Sequence, residues 1–455
     1  MRRQIVKVDK AFYKKFFSMY VALVLQNVIT ISVNLADNIM LGAYSETALS
    51  GVAAVNQIQF VYQQLLFAVG EGLVIFCSQY WGKRQTGPMK KIAATAMYTA
   101  LTIGILLFAL MSLFPVQALK IFTTEESIIA EGVRYLNIIR FTYLFFAVTQ
   151  ILLATLRSIG TVKIAFYLSI MTFFVNCGIN YVMIFGHFGA PEMGAAGAAI
   201  GTLTARILEM IVLLVFVMKK ENILRLRLRD YLSFDKTLSK DYFKISTPMM
   251  ITQGLWGVNT ALQTAILGHM TAAAIAANSA ASNLFLLVKS TAVGAASTAS
   301  VMIGEAVGTG NMARVKTYAR RMQVMFLIIG VISGTVLFFL RIPILSLYDL
   351  QPETKEMANT FLMILSVVCV GMSYQMATNT GIIRGGGNAM YVVKLDLVSI
   401  WLIVLPVSFF VAFVLKASPA VVVCCLNADQ IFKGIPAFIV ANHGKWVRTL
   451  TRDDV

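Results

Sequence analysis

One carboxylate lies inside the first long apolar stretch of the chain, which covers residues 16–41. This acid is Asp37. Three polar residues precede it at steps of three and four, which places all of them on one helix face: Asn27, Thr30 and Asn34. An aspartate in hydrocarbon is costly, so it normally faces the interior of a helix bundle and marks a functional site. We therefore expect Asp37 to belong to a functional site. The alternative, that Asp37 only caps the loop that follows, stays open.

A second polar stripe with its own acid follows on the next apolar segment. Gln57, Gln64 and Glu71 recur every seven residues, and Phe60 and Phe67 lie between them on the same helix face. A face of amides, aromatic rings and one acid is typical of a cavity lining, so we expect these five residues to line a substrate cavity. The alternative is that the amides join helices through hydrogen bonds, which contribute about 1 kcal/mol each in membranes.

Two later segments of the first half carry further polar side chains. Asn176 and Asn180 are four residues apart and share one helix face, and Thr202 lies in the next segment, which is rich in Gly and Ala. Small residues of this kind allow close approach of helix backbones. Arg206 and Glu209 follow three residues apart, and we expect them to form an ion pair inside the membrane.

The second half of the chain has polar stripes of its own. We assign to the substrate cavity a set of residues on the seventh, eighth and tenth apolar segments: Gln253, Trp256, Asn259, Asn278, Ser282, Lys289 and Gln375. Lys289 is the only lysine in the middle of a predicted span, so it should face water, a carboxylate or an anionic substrate group. Near the end of the chain, Asp429 and Lys433 are four residues apart and are expected to form a helical ion pair.

The composition of the chain predicts that transmembrane helices position these residues. The chain has 455 residues, of which 58% are hydrophobic and 13% charged, and a mean hydropathy of +0.76. These values and the repeated long apolar runs predict an all-α integral membrane protein with twelve transmembrane helices. The predicted spans are residues 14–42, 50–79, 92–116, 128–156, 164–187, 194–218, 245–269, 275–306, 316–340, 354–383, 391–416 and 418–441.

The net charge of +17 follows the loops of the chain. Most of the 38 lysines and arginines fall in alternate loops and in the two terminal segments. The positive-inside rule therefore predicts that both termini are cytoplasmic and that the number of spans is even. This distribution excludes nucleic acid as a partner and makes the lipid bilayer the expected surroundings. The five cysteines all lie in predicted spans, which is unlike a secreted disulfide framework.

A basic, polar connector divides the chain near its midpoint. We predict an N-terminal lobe of six helices over residues 1–218, a cytoplasmic connector over 219–244 and a C-terminal lobe of six helices over 245–455. A shift of 226 residues aligns Leu41-Gly42 with Leu267-Gly268 and other scattered identities at matching places in the two halves. Such weak symmetry is typical of transporters that are built from parallel repeats related by a pseudo-two-fold axis.

The motifs resemble those of the multidrug and toxic compound extrusion (MATE) family over nearly the whole chain. The stretches that carry the resemblance are, in chain order, ADNIMLG, LRSIGTVK, IFGHFGAPEMGAAGAAIGT and IIRGGGNAMYVVK. No single stretch is diagnostic, and the resemblance rests on their order and spacing together. The resemblance implies a V-shaped pair of six-helix bundles in the plasma membrane. It also implies export of lipophilic, often cationic, small molecules in exchange for protons or sodium ions, with no cofactor other than the coupling ion. We expect a monomer.

The resemblance also suggests roles for single residues. It places the family's coupling aspartate at Asp37 and implies a cation site completed by polar neighbours: Asn34, Asn176, Asn180 and Thr202. Asn180 stands where many members have aspartate, so this site has one carboxylate, which favours protons over sodium. Gln253 and Ser373 lie near the places of second-lobe acids that some members use, so coupling is expected in the N-terminal lobe.

Two other functions remain as alternatives at this point. A lipid or lipid-linked oligosaccharide flippase of the same broad superfamily would use Lys289 to meet a phosphate. A membrane-embedded enzyme is disfavoured because the three histidines lie at span ends, without metal-ligand spacing. We therefore predict that the protein is not an enzyme and that it has no metal site beyond a sodium ion at Asp37.

Overall fold

A computed structural model describes residues 10–221, 224–225, 227–346 and 351–452. Within these ranges the chain is almost entirely helical and has no strand. The first eight helices are α1 (Lys10–Tyr44), α2 (Glu46–Gly82), α3 (Thr86–Leu113), α4 (Pro115–Lys120), α5 (Glu126–Ile139), α6 (Thr142–Ser158), α7 (Lys163–Phe185) and α8 (Ala195–Lys219). A short 3-10 helix, Leu228–Leu232, lies in the connector.

Nine further helices form the second half of the described chain. They are α9 (Lys236–Gly268), α10 (Ala272–Gly308), α11 (Met312–Leu345), α12 (Pro352–Met376), α13 (Ala389–Leu397), α14 (Leu405–Phe409), α15 (Pro419–Leu426), α16 (Asp429–Phe432) and α17 (Gly434–His443). Three π-helical segments continue these helices: Ala377–Ile383, Val398–Val404 and Phe410–Val414. Two of them flank α14, where Pro406 lacks the N–H that a regular helix needs.

The described helices confirm the predicted all-α membrane architecture. Ten helical segments are long and apolar enough to cross a membrane, when the run from α13 to Val414 and the run from α15 to α17 are each counted as one. Helices α5 and α6, bent by 52° to each other, make an eleventh if they form one span. At this bend the Thr142 hydroxyl donates to the Ile139 carbonyl over 2.6 Å, which satisfies a carbonyl at the end of α5. The remaining predicted span, 245–269, lies in α9. This helix has 33 residues, but polar side chains such as Asn259 and Gln263 lower its hydropathy.

The described chain divides into two compact units. The N-terminal lobe consists of Leu25–Cys77 and Gln85–Ser246, and the C-terminal lobe of the residues up to Val24, Ser78–Arg84 and the chain from Thr247 onward. These bounds differ from the predicted ones, because the connector and the start of α9 pack within the N-terminal lobe. The hydroxyl of Tyr242 donates to the Val69 carbonyl over 2.8 Å, for example.

Two ion pairs hold the connector to the beginning of α3. Lys90 Nζ lies 2.8 Å from Asp230 Oδ2, and Lys91 Nζ lies 3.1 Å from Asp235 Oδ2. Partial burial acts to raise the pKa of Asp230, but the hydrogen bonds from Lys90 and from a backbone N–H outweigh it and lower the pKa. The pKa of Asp235 is lowered first by the Leu238 N–H and then by Lys91.

We expect acid to loosen the connector. Because both carboxyl pKa values are lower in the folded state than in the unfolded one, their contribution to stability is present above a pH of about 4 and is lost as the pH falls through the folded values. Hydrogen exchange of the connector amides, corrected for intrinsic rate, should show protection that is a few-fold lower at pH 3 than at pH 6, because exposed pairs contribute about 1 kcal/mol at most. Asp230→Asn should weaken this dependence. Equal protection at both pH values would contradict the role of these pairs.

Candidate functional site

A chain of hydrogen bonds in the N-terminal lobe connects three helices. Asn180 of α7 donates through Nδ2 to Asp37 Oδ1 of α1 over 2.6 Å, and the same nitrogen lies 3.3 Å from Asn176 Oδ1. Asn176 in turn donates to the Thr202 hydroxyl of α8 over 3.1 Å. The structure therefore brings together four of the five residues that the sequence predicts for the cation site. The fifth, Asn34, is more exposed but lines the same cavity.

Local packing explains why the two asparagines occupy this position. Asn176 and Asn180 are one helical turn apart and almost completely buried, with 1% and 0% of their surface exposed. Helix α8 approaches them closely at Gly201, where an added Cβ would lie 2.1 Å from Asn180 Oδ1. The Gly- and Ala-rich start of α8 thus makes the room that the Asn180 amide occupies.

The amide of Asn180 has an acceptor without a partner. Its Oδ1 is buried and accepts no hydrogen bond within the part of the chain that the structure describes. An unpaired buried acceptor costs about 1–3 kcal/mol, so a group that satisfies this oxygen would bind favourably. A protonated Asp37, a water molecule or a cation would each be suitable. The site therefore combines one carboxylate with one unused oxygen, next to a chain of amides.

A small cavity of about 60 Å³ opens beside Asp37. Its lining includes Asn34, Asp37 and Thr202 from the predicted set. This volume holds a few water molecules, whereas pockets for drug-sized ligands span about 300–1,000 Å³. The cavity is therefore of the right size for one small ion and its water, and too small for a drug-sized molecule.

Arg206 of α8 also lines this cavity. Its Nη1 lies 2.7 Å from Glu209 Oε2, which confirms the predicted ion pair, and its guanidinium carbon lies 5.0 Å from the centroid of the Phe146 ring. The spacing of Arg206 and Glu209 predicted the ion pair but not its position beside Asp37. The available signal was the spacing of four residues from Thr202, which puts Arg206 on the same helix face. The site thus contains the positive charge of Arg206, which is paired with the Glu209 carboxylate.

A different face of α2 from the predicted one lines the cavity. The lining residues of this helix are Val52, Asn56, Gln59, Tyr62 and Gln63. The predicted Gln57, Phe60, Gln64 and Phe67 do not line it, and their assignment to a substrate-binding surface stays a prediction.

Glu71, the last residue of the predicted stripe on α2, lies in a buried ion pair. Its Oε1 lies 2.5 Å from Arg157 Nη2, and the Glu71 side chain is 2% exposed. It is absent from the lining of the cavity beside Asp37. The structure therefore gives Glu71 a partner at the end of α6, which was not predicted because no local spacing relates residues 71 and 157.

The C-terminal lobe contains a second polar network. Lys433 Nζ lies 2.8 Å from Asp429 Oδ2, which confirms the predicted pair, and 2.9 Å from Asp396 Oδ1 of α13. Gln430 donates to Asp429 over 2.9 Å and accepts from Gln375 of α12 over 2.7 Å. Gln375 thus belongs to a buried network with the two acids, and its assignment to the substrate cavity stays a prediction.

The other predicted positions of the C-terminal lobe lie on α9 and α10. Lys289 Nζ is 4.6 Å from the centroid of the Trp256 ring, which is a cation–π contact. Asn259 is buried and lies 3.4 Å from Gln263 through their amides. Gln253, Asn278 and Ser282 are partly buried along the same two helices.

Gly201 provides a direct test of the packing around Asn180. We expect Gly201→Ala to displace the Asn180 amide and to lower the predicted gradient-driven transport by about tenfold or more, because misplacement of a site by about 1 Å can cost a hundredfold. The matched control is Gly178→Ala on the facing helix α7, where an added Cβ meets nothing within 4 Å. Transport by reconstituted protein is the measurement. Equal rates for the two variants would show that the close approach of α8 does not position the amide.

A family model described as MatE matches residues 22–182 and again residues 248–410. The chain belongs to the MatE family. The two MatE matches begin 226 residues apart, which is the shift that aligns the halves of the sequence. The family assignment confirms the predicted resemblance and the internal repeat, and it makes the chain a membrane transporter and not an enzyme.

Several MatE relatives match over most of their length. The chain is 27% identical to the "Probable multidrug resistance protein NorM" of Thermotoga maritima over 94% of this chain and 92% of that protein. It is 25% identical to the "Probable multidrug resistance protein YoeA" of Bacillus subtilis, over 81% and 80% of the two chains. An outward-facing multidrug resistance MATE transporter has the same fold, with a TM-score of 0.87 at 15% identity over 96% of both chains.

Proposed function

We propose that this protein is a proton-coupled antiporter that exports lipophilic small molecules, many of them cationic, across the plasma membrane. The names of the NorM and YoeA relatives, which are multidrug resistance proteins, support the export of drugs. The single observation that carries the coupling proposal is the hydrogen bond from Asn180 to Asp37, because it links the only ionisable acid of α1 to two other helices.

Protonation would reverse the hydrogen bond between Asp37 and Asn180. An ionised Asp37 only accepts hydrogen bonds, and it accepts from Asn180 Nδ2. A protonated Asp37 has an O–H to donate, and the unpartnered Asn180 Oδ1 is the acceptor that could receive it. The amide must turn for this exchange, and its contact with Asn176 then changes as well. A proton at Asp37 would therefore alter the packing of α1, α7 and α8 and favour one conformational state.

Antiport requires that the drug and the proton prefer different states. The drug then displaces the proton through the conformational equilibrium, without a direct contact between them. The size of the cavity beside Asp37 supports such an indirect mechanism, since about 60 Å³ holds a few water molecules and no drug. Loss of the proton on one side of the membrane and its uptake on the other completes the cycle.

The orientation of the amides favours protons over sodium ions as the coupling ion. Sodium binds to oxygen ligands, but Asn180 directs its Nδ2 to Asp37. A sodium ion at this place would require the Asn180 amide to turn, after which Asp37, Asn180, Asn176 and Thr202 could each offer an oxygen. Proton binding requires no ligand besides Asp37. Both ions thus fit the residue types, but a proton can bind to Asp37 before the Asn180 amide turns, whereas a sodium ion needs the turned amide first.

All the residues of this mechanism lie within one chain, so we also propose that the protein works as a monomer. The distribution of lysine and arginine supports a cytoplasmic location for both termini.

Transport by purified protein in lipid vesicles tests the proposed function. Vesicles are loaded with a fluorescent amphiphile, ethidium or 8-anilinonaphthalene-1-sulfonate, and a proton gradient or a sodium gradient is imposed separately. We expect the proton gradient to drive movement of at least one probe and the sodium gradient to have no effect. Transport driven by sodium alone would reverse the assignment of the ion. Insensitivity of all probes to both gradients would contradict antiport and favour the lipid flippase.

A further inference from the structure

A lysine in the membrane region of the C-terminal lobe has an aromatic ring as its closest partner. Lys289 lies near the centre of α10, and its Nζ is 4.6 Å from the centroid of the Trp256 ring on α9. Among the described residues, no carboxylate oxygen lies within 4.0 Å of this Nζ. The lysine is therefore held by a ring face and has no ion pair at contact distance.

The acids that could neutralise Lys289 are already engaged. Lys433 binds Asp396 at 2.9 Å and Asp429 at 2.8 Å, and Gln430 donates a further hydrogen bond to Asp429. Asp429 acts on Lys289 only from beyond ion-pair distance, and the positive charge of Lys433 opposes this effect. The interior of the C-terminal lobe thus offers no free carboxylate to a cation within the described chain, and it offers one ammonium group to an anion.

Maintaining such a charge inside a membrane is costly, and the Trp256 ring offsets only part of the cost. An ammonium group also has three N–H donors, and one ring face can satisfy only the side that it covers. The remaining donors need water or an anionic oxygen. Part of the Lys289 residue remains exposed, although its ammonium group lies deep within the lobe.

Polar side chains continue away from Lys289 along both helices. Asn259 and Gln263 follow Trp256 at about one and two turns along α9. Ser282 precedes Lys289 by about two turns on α10, and because the short turn after α9 makes the helices antiparallel, it lies at a similar level to Gln263. A ligand anchored at Lys289 would therefore meet amide and hydroxyl groups about 10 Å away.

We propose that Lys289 and Trp256 form a binding site for the acidic group of an amphiphilic substrate. The substrate class is an apolar, aromatic compound with one carboxylate, sulfonate or phosphate group. The ammonium binds the anionic oxygens, the Trp256 ring packs against the aromatic part, and the polar groups of α9 and α10 bind the far end. This inference rests on the proposed transport function. It specifies acids or zwitterions as one class of its substrates.

Binding of two probes that differ by one sulfonate group tests the proposal. The probes are 8-anilinonaphthalene-1-sulfonate and N-phenyl-1-naphthylamine, which lacks the sulfonate, and their fluorescence is titrated with protein in nanodiscs of zwitterionic lipid, against empty nanodiscs. We expect Lys289→Met to weaken sulfonate binding by about tenfold or more, because it removes charge-assisted hydrogen bonds, and to leave binding of the neutral probe within about twofold. Lys289→Arg should retain most of the sulfonate affinity.

Unchanged sulfonate binding by Lys289→Met, or an equal loss for both probes, would overturn the proposal. Lys289 would then have a packing role only. A melting temperature for each variant shows whether it is folded. Displacement of the sulfonate probe by phosphatidylglycerol would identify an anionic lipid as a source of the same group. Because this assay needs no gradient, its failure leaves antiport intact, and failure of gradient-driven transport leaves the binding result intact.

Discussion

The variant Asp37→Asn is expected to abolish transport driven by a proton gradient while it leaves the fold intact. Asparagine has nearly the shape of aspartate and can still form a hydrogen bond with Asn180, which now lies 2.6 Å from the carboxylate. It has no proton to gain or lose at any working pH. The reversal of the hydrogen bond that couples α1 to α7 and α8 is therefore lost. We expect the gradient-driven rate to fall to the level of protein-free vesicles.

The control for this variant is the neighbouring residue of the same helix. Asn38 is exposed and lies outside the cavity lining, so Asn38→Ala should transport at close to the normal rate. Asp37→Asn should also keep its binding of N-phenyl-1-naphthylamine, because the cavity beside Asp37 is too small for a drug-sized ligand. Gradient-driven transport by Asp37→Asn at the normal rate would remove this residue from the mechanism.

The variant Lys433→Met is expected to cause a large loss of stability. It leaves Asp429, whose side chain is 6% exposed, and Asp396 without the cation that contacts both. Removal of one partner from a buried ion pair costs about 3–5 kcal/mol, since an uncompensated charge stays in the interior. We expect the purified variant to melt well below the unmodified protein and to yield less folded protein after extraction in detergent.

Two further variants separate this effect from a general sensitivity of the lobe. Lys394→Met removes an exposed lysine from the same region and should change the melting temperature little. The double variant Lys433→Met with Asp429→Asn removes one of the unpaired charges and should recover part of the loss. If Lys433→Met melts like Lys394→Met, the network of Asp396, Asp429 and Lys433 does not stabilise the C-terminal lobe.

Helix periodicity predicted which residues share a face, but not which face meets a neighbour. The stripes of Asn176 and Asn180 on α7 and of Asp429 and Lys433 near the end of the chain are confirmed as local groupings. Helix α2 has polar residues on two neighbouring faces. The face that lines the cavity contains Gln59, whereas the predicted face contains Gln57. A helix surrounded by other helices and lipid has no single solvent face, so periodicity alone cannot select between them.

Contacts between distant segments were the least predictable part. The pairs of Glu71 with Arg157 and of Asp396 with Lys433 join residues that no local spacing relates. Such partners are determined by how the helices pack, which depends on close approaches such as that of Gly201 to Asn180. The position of Arg206 in the cavity beside Asp37 was missed although its spacing of four residues from Thr202 offered a local signal. The spans themselves were predictable because the membrane imposes length and hydropathy directly.

Proton movement driven by a substrate gradient is the measurement that bears most directly on the mechanism. Binding linkage is reciprocal, so a gradient of the exported compound must drive protons the other way if both share one conformational equilibrium. Vesicles with a trapped pH dye receive a gradient of ethidium or of 8-anilinonaphthalene-1-sulfonate, neither of which carries protons itself at neutral pH. We predict a pH change in vesicles with the unmodified protein and none with Asp37→Asn. Transport of a probe with no pH change, or an equal change with Asp37→Asn, would contradict proton exchange at Asp37.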